Sequence, residues 1–167
     1  MKKLNLRLQG GMTLKPIVKL DGKVVPYRKN KYEAIELTHE TENDSVMLEV
    51  ENILEIKGPC WWFVQMAFFI ISLFGILNPR LAKSHFLVTY KAKINLADGE
   101  NNVALKFNLP QDKQKAISPL KEANIEEIAN EYTEDLVAKK RKKWLKISYL
   151  ISWILLVMAI ILVLVIR

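Results

Sequence analysis

The chain has 167 residues, the length of a single domain of ordinary size, and half of them are hydrophobic. One cysteine, six glycines and six prolines exclude a disulfide scaffold, a collagen-like chain and a disordered chain. The net charge is +7, but the charges nearly cancel outside one short basic block, so we expect no nucleic-acid partner. The basic block comprises Lys139, Lys140, Arg141, Lys142, Lys143 and Lys146.

The N-terminal third of the chain predicts short β-strands. Residues 4–8 alternate leucine with polar side chains, which is the period of a strand with one buried face. Asp21-Gly22 separates two short apolar runs, and this dipeptide tolerates the positive φ angles of a tight hairpin turn. A further alternating run at residues 33–37 predicts another strand.

Two longer alternating runs, residues 46–56 and 86–96, flank a hydrophobic segment. Only Asn52 interrupts the apolar face of the first run. The solvent face of the first run is acidic and that of the second is basic, so antiparallel pairing would gain ~0.2–1 kcal/mol per opposed charge pair. We therefore expect the two runs to be neighbouring strands, with the hydrophobic segment as the connection between them.

The hydrophobic segment covers residues 61–77 and carries no charge. A length of about 17 residues is the lower limit for a helix that crosses a bilayer. Four interpretations remain open: a crossing in either direction, a re-entrant or interfacial helix, and the core helix of a soluble protein.

Particular side chains in this segment favour contact with lipid and with other helices. Trp61, Trp62 and Phe63 predict an entry point at the level of the lipid headgroups. Gln65 and Ser72 are seven residues apart and share one helical face. We expect this face to contact partner helices through hydrogen bonds and small-residue packing.

The remaining pattern predicts the fold class. About seven short strands in the first ~110 residues favour an all-β sandwich or a partly open barrel. Ser118-Pro119 is typical of a helix start, and an apolar stripe at helical spacing follows it. We therefore expect an amphipathic helix over residues 118–146 that closes the β-domain. In element order, this outline resembles a pleckstrin-homology-like domain.

The clearest feature of the sequence is an uncharged run at residues 147–166. Its length matches the ~20 apolar residues that a helix needs to cross a bilayer, and a helix satisfies its own backbone hydrogen bonds in lipid. The basic block directly precedes this transmembrane helix, and Lys and Arg stay preferentially on the cytoplasmic side. We expect the β-domain in the cytoplasm and the C-terminus on the opposite side, a layout that resembles a tail-anchored protein.

The basic block and its neighbouring aromatic residue predict lipid contact. Cations beside a membrane attract anionic headgroups by ~1 kcal/mol each. Trp144 suits the interface, since its ring is apolar and its ring N–H is polar.

The pattern defines four parts of the chain. The expected boundaries are residues 1–57 and 84–117 for the β-domain, 58–80 for the hydrophobic insert, 118–146 for the amphipathic helix with its basic block, and 147–166 for the transmembrane helix.

Few residues have the types and spacing that catalysis needs. His39 and His85 are far apart in the sequence, and we expect both at the surface. Cys60 at the start of the insert is expected to be a small apolar residue at the membrane edge. No metal-ligand spacing, phosphate loop or nucleophile motif occurs, so we expect no catalytic, metal or cofactor site.

These features predict a non-enzymatic, membrane-anchored binding protein. We expect an adaptor, an accessory subunit or an immunity-type protein that presents its β-domain to a membrane protein partner, or that self-associates. The alternative is a lipid-sensing module with the pleckstrin-homology-like outline, whose sheet would bind a headgroup or an acyl chain.

Overall fold

The computed structural model of the chain describes residues 1–10, 15–72, 85–108, 115–121 and 124–166. The described residues form ten strands, two α-helices and a 3₁₀ turn. The strands are β1 (Lys2–Gln9), β2 (Lys15–Leu20), β3 (Lys23–Val24), β4 (Arg28–Lys29), β5 (Ile35–Thr41), β6 (Ser45–Ile53), β7 (Phe86–Asn95), β8 (Gly99–Phe107), β9 (Ile117–Pro119) and β10 (Ile125–Glu134). The 3₁₀ turn is Glu55–Lys57, and the helices are α1 (Trp61–Ile71) and α2 (Leu136–Ile166).

The chain divides into two compact units. The β-domain comprises residues 1–53 and 86–133, and the helical unit comprises residues 54–85 and 134–167. The division assigns residues 54–85 to the helical unit and lets the β-domain continue to Thr133, while the four expected boundaries stay a prediction.

Two five-stranded sheets make up the β-domain. The β1 sheet has the order β4-β5-β1-β8-β9, and the β6 sheet has the order β10-β7-β6-β2-β3. The alternating leucines of β1 lie in one core with side chains from both sheets, among them Val50 of β6 and Tyr90 of β7. Within the described residues neither sheet closes on itself into a barrel. The domain is mostly β-sheet, and its two open sheets make it sandwich-like.

The expected pairing across the insert is confirmed. β6 and β7 are antiparallel neighbours, with Glu49 opposite Lys91 and Glu51 opposite Thr89. The Lys91 ammonium lies 2.7 Å from the Glu49 carboxylate and, by donating a hydrogen bond, lowers the pKa of Glu49. Opposite charges on the two solvent faces therefore favour this register over a shifted one.

Two Asp-Gly dipeptides in the chain have different roles. Asp21 and Gly22 have φ angles of 48° and 76° and join β2 to β3, with Leu20 opposite Lys23, so the predicted hairpin is confirmed. Asp98-Gly99 instead carries the chain from β7 in one sheet to β8 in the other, where β8 pairs in parallel with β1.

The prediction of an amphipathic helix over residues 118–146 is wrong for its first half. Ser118 and Pro119 belong to β9, residues 125–134 form β10, and the helix begins at Leu136. Ile128 is 58% exposed, so the apolar residues at helical spacing do not form one buried face. Pairing with β7 provides β10 with backbone hydrogen bonds, and such tertiary pairing overrides a weak local pattern.

A side-chain contact stabilises this arrangement of β9 and β10. The amide oxygen of Asn130 accepts a hydrogen bond from the Ile117 N–H, and its amide nitrogen donates to the Ile117 carbonyl. Over residues 125–134, a strand stands where the closing helix of the pleckstrin-homology-like outline was expected.

Candidate membrane-binding site

Helix α2 contains a long apolar stretch that the described residues leave almost entirely exposed. The helix has 31 residues, and only 6% of its most apolar 18-residue stretch is buried. A core helix of a soluble protein would be mostly buried, whereas a helix in lipid needs no protein cover. This helix is therefore long and apolar enough to cross a membrane.

The N-terminal end of α2 is capped and tied to the 3₁₀ turn. The Asp135 carboxylate accepts a 2.8 Å hydrogen bond from the Ala138 N–H, which is the position of a helix N-cap. It also lies 2.8 Å from the Lys57 ammonium, whose hydrogen bond lowers the pKa of Asp135. The negative charge additionally stabilises the N-terminal end of the helix dipole.

The basic block divides into two faces of α2. Lys139, Lys140, Lys143 and Lys146 are exposed, as is Trp144 beside them. Their spacing of three or four residues places them along the outward side of the helix, where charged and interfacial side chains can reach headgroups.

Arg141 and Lys142 of the block lie on the inward side instead. The Arg141 guanidinium donates a 2.9 Å hydrogen bond to the Ile56 carbonyl and lies 5.1 Å from the centre of the Trp61 ring. The Lys142 ammonium is 3.2 Å from Nδ1 of His85, and its burial, followed by the nearby charge of Lys146, lowers the pKa of Lys142. These two cations are therefore structural contacts within the helical unit, although both were expected to touch lipid.

Helix α1 presents an apolar stripe on its outer side. Phe63 is 70% exposed, and Ile70 and Ile71 are 65% and 75% exposed. Their spacing places them on one side of the helix together with exposed Ala67. Trp62 is also exposed, so the expected entry residues Trp62 and Phe63 face outward, whereas Trp61 is half-buried under Arg141.

The inner side of α1 packs against α2. The Tyr149 hydroxyl donates a 3.0 Å hydrogen bond to the Gln65 carbonyl, and the rings of Phe69 and Tyr149 are 4.4 Å apart. Trp62 Nε1 donates to the Ser148 hydroxyl at 3.3 Å. All of these contacts lie where the apolar part of α2 begins.

The residues expected to meet partner helices have contacts within the chain. Gln65 is buried, and its neighbour across the contact is Tyr149 of the same helical unit. The Ser72 hydroxyl donates to the Phe68 carbonyl one turn earlier, at the end of α1. Their contact with a partner stays a prediction, and the structure gives Gln65 a role in joining α1 to α2. The rest of the predicted segment, residues 73–77, lies outside the described residues.

His85 closes the helical unit where the chain returns from the insert. It is buried, not at the surface as expected, and its carbonyl accepts a 2.9 Å hydrogen bond from the Asp135 N–H. Burial, followed by the charge of Lys142, lowers the pKa of His85, while Glu134 at 3.7 Å acts in the opposite direction. A histidine just before a strand carries no sequence signal for such a role.

The described residues hold no group of three or more His, Cys, Asp or Glu side chains that fits a metal ion. Cys60 is exposed and precedes α1 with a φ angle of 54°. The site described above is an amphipathic surface that combines the apolar stripe of α1, the apolar stretch of α2 and the cations that precede this stretch in the sequence.

Comparisons with protein-family models, with curated proteins and with solved structures found no match for this chain.

Proposed function

We propose that this protein is a non-enzymatic, membrane-anchored binding protein that presents its β-domain to a membrane protein partner. In this proposal α2 crosses the bilayer. Helix α1 enters only the leaflet on the side of the β-domain and does not cross. An adaptor, an accessory subunit or an immunity-type protein would all use such an arrangement.

The observation that carries the proposal is the pairing of β6 with β7. These strands flank the hydrophobic insert and are hydrogen-bonded neighbours, with Glu51 opposite Thr89. One folded sheet cannot lie on both sides of a bilayer. The insert therefore leaves and returns on one side, which argues against a single crossing in either direction.

The helical unit supports the same topology independently. The chain entering the insert is tied to the start of α2 by Lys57 and Asp135, and the chain leaving it is tied there by His85 and Asp135. Helix α1 has 11 residues and is therefore ~16 Å long, about half of the ~30 Å hydrocarbon core. Its exposed apolar stripe favours lipid over water, which supports the re-entrant or interfacial interpretation.

The charge pattern supports the orientation of the protein. The exposed lysines of the basic block directly precede the apolar part of α2, and Lys and Arg are retained on the cytoplasmic side. The β-domain then lies in the cytoplasm, and the C-terminal end of α2 lies on the other side.

Attachment at two points supports a role in binding. A domain on a single tail swings freely, whereas a second contact through α1 restricts its orientation before a partner arrives. Such preorganisation lowers the entropy lost on binding.

Cysteine labelling in intact and opened cells tests the topology. In a Cys60→Ser background, single cysteines replace Lys29 and Thr89, both exposed in the β-domain, Phe63 in α1, and Ile166 at the end of α2. We expect an impermeant maleimide to label position 166 in intact cells and positions 29 and 89 only after opening. Position 63 should stay protected until detergent is added.

Several outcomes would contradict this topology. They are labelling of position 63 as fast as position 29 in opened cells, and labelling of position 166 from the same side as position 29. For the binding role, a photo-activated cross-linker at position 29 should capture one discrete membrane protein in living cells. Capture of lipid alone would instead favour the lipid-sensing alternative.

A further inference from the structure

A groove of about 820 Å³ lies on the solvent face of the β1 sheet. Its floor is formed by the side chains of β1, β5 and β8 that point to solvent. Along each strand these side chains alternate with buried ones. Small-molecule sites usually measure ~300–1,000 Å³ and are lined mostly by apolar side chains. This groove has the volume of such a site but a polar floor, which favours a polar occupant.

The middle row of the floor offers hydrogen-bonding groups without charge. Asn5 of β1 stands between Thr38 of β5 and Asn102 of β8 in the register of the sheet. The Asn5 amide donates to Asn102 at 3.1 Å and accepts from the Thr38 hydroxyl at 3.2 Å. The half-buried Asn5 and the exposed Thr38 and Asn102 form a connected row, which can exchange hydrogen bonds with the peptide groups of an extended chain.

The neighbouring row of the groove floor contains a cation, Arg7, and a small side chain, Ala104. Arg7 of β1 stands between Glu36 of β5 and Ala104 of β8. Its Nε is 3.7 Å from the Glu36 carboxylate, which also accepts a 2.7 Å hydrogen bond from the Asn30 amide. Because alanine fills little of the opposite side, the row leaves room beside Arg7 for an occupant.

Cations also stand at both ends of the groove. Arg28 lines it from β4 at one edge of the sheet, and Lys121 lines it just after β9 at the other edge. Among the described lining residues, three cations, Arg7, Arg28 and Lys121, accompany one carboxylate, that of Glu36. The lining therefore complements an occupant with negative charge.

The separation of these cations favours an extended occupant. Strands in a sheet are spaced ~4.8 Å apart, so the five strands of the β1 sheet span ~19 Å from β4 to β9. An extended peptide covers that distance with about six residues at ~3.3 Å each. A single phosphate or lipid headgroup would reach only one end.

We propose that this groove binds an acidic peptide segment in an extended conformation, contributed by the membrane protein partner. The acidic side chains pair with Arg28, Arg7 and Lys121, and the peptide backbone bonds to the row of Asn5, Thr38 and Asn102. This inference rests on the proposed function for the source of the peptide, whereas the groove itself lies within the β-domain.

Binding of synthetic peptides tests this directly. The full-length protein in nanodiscs of neutral lipid is titrated against a fluorescent eight-residue peptide of alternating Glu and Ser, and against a matched Lys and Ser peptide. We expect the acidic peptide to bind and the basic peptide to bind at least ~10-fold more weakly. Binding should weaken as salt rises, because exposed charge pairs are screened.

Charge-reversal variants locate the site. The double variant Arg28→Glu/Lys121→Glu should lose at least ~10-fold in affinity for the acidic peptide. The control Lys23→Glu/Lys93→Glu makes the same change in net charge on the β6 sheet and should change affinity less than ~2-fold. Circular dichroism should show that both variants keep the fold. For Arg28→Glu/Lys121→Glu, the reason is that both side chains lie at the edges of the β1 sheet.

Three results would overturn the inference: equal binding of both peptides, equal loss in both double variants, or competition by inorganic phosphate as strong as that by unlabelled peptide. Binding to anionic vesicles in place of the peptide would assign the groove to lipid instead. The assay does not depend on how the insert meets the membrane. Failure here with correct cysteine labelling would therefore reject the peptide groove and leave the membrane topology standing.

Discussion

The side-chain oxygen of Asn52 accepts a 2.6 Å hydrogen bond from the backbone N–H of Val88. Its amide nitrogen donates to the Phe86 carbonyl at 3.1 Å. The regular ladder between β6 and β7 is described from Ser45 opposite Asn95 to Glu51 opposite Thr89. The buried Asn52 side chain continues this pairing by one step, at the point where the chain leaves for the insert.

Replacing Asn52 with leucine should destabilise the β-domain. The substitution removes both hydrogen bonds, and an unsatisfied buried group such as the Val88 N–H costs ~1–3 kcal/mol. Urea unfolding of the full chain in detergent measures the effect. Asn102→Ala on the exposed face is the control and should stay within ~0.5 kcal/mol. A leucine variant as stable as the original protein would contradict this role of Asn52.

Replacing Tyr149 with phenylalanine should loosen α1 from α2. The variant keeps the ring beside Phe69 but loses the hydrogen bond to the Gln65 carbonyl. Hydrogen bonds between helices in lipid are worth ~0.6 kcal/mol on average, which corresponds to about threefold faster amide exchange in α1. Hydrogen–deuterium exchange in nanodiscs measures this. Leu150→Ala, at an exposed neighbouring position, should leave the rate unchanged, and the same rate in all three proteins would refute the contact.

The buried Tyr90 and the partly buried Tyr132 should make the β-domain sensitive to alkali. Burial raises the pKa of Tyr90 to about 12, aided by Glu127, and burial alone raises that of Tyr132 to about 12. An unfolded tyrosine ionises near pH ~10, so their contribution to stability is complete below pH ~10 and is lost as pH rises towards ~12. Denaturant midpoints between pH ~8 and pH ~11 should therefore fall, and Tyr90→Phe should reduce the fall.

The same tyrosines should respond oppositely to phenylalanine at neutral pH. The buried Tyr90 hydroxyl has no hydrogen-bond partner among the described residues, so Tyr90→Phe should be neutral or stabilising. The Tyr132 hydroxyl donates a 2.7 Å hydrogen bond to the Asn108 carbonyl. Tyr132→Phe should therefore destabilise by ~0.5–1.5 kcal/mol. Equal effects in the two variants would show that the two hydroxyls have similar surroundings.

Mild acid should destabilise the helical unit through His85. Its pKa is lowered by burial and then by Lys142, with smaller effects of Lys139 and Lys146, while Glu134 raises it. The unfolded histidine takes up a proton near pH ~6.5 and the folded one does so only at lower pH, so stability falls as pH drops below ~6.5.

Thermal unfolding in detergent checks this prediction. The melting temperature should fall between pH ~7.5 and pH ~5.5, and His85→Asn should make this fall smaller because asparagine does not titrate. Comparing the slopes separates titration from any loss of packing in the variant. A melting temperature that rises on acidification would mean that Glu134 outweighs burial and Lys142.

The strands and the long apolar helix follow from local pattern. The alternation in β1, β6 and β7 places apolar side chains on one face whatever the rest of the chain does, so these strands could be predicted directly. The opposed charges of Glu49 and Lys91 also allowed one pairing to be predicted across the insert. Residues 147–166 carry no charge over the length of a bilayer crossing, so this helix could be predicted from the sequence alone.

Parts of the candidate site depended on contacts that are distant in sequence. Arg141 and Lys142 resemble the other cations of the basic block, and only packing at Ile56, Trp61 and His85 distinguishes them. The spacing within residues 125–134 fits a helix. These residues instead pair with β7, which would otherwise be the edge strand of the β6 sheet, and β7 provides their hydrogen-bonding partners. The period of a sequence predicts which side chains are buried. Which other part of the chain they pack against depends on the tertiary structure, because those contacts join residues that are distant in sequence.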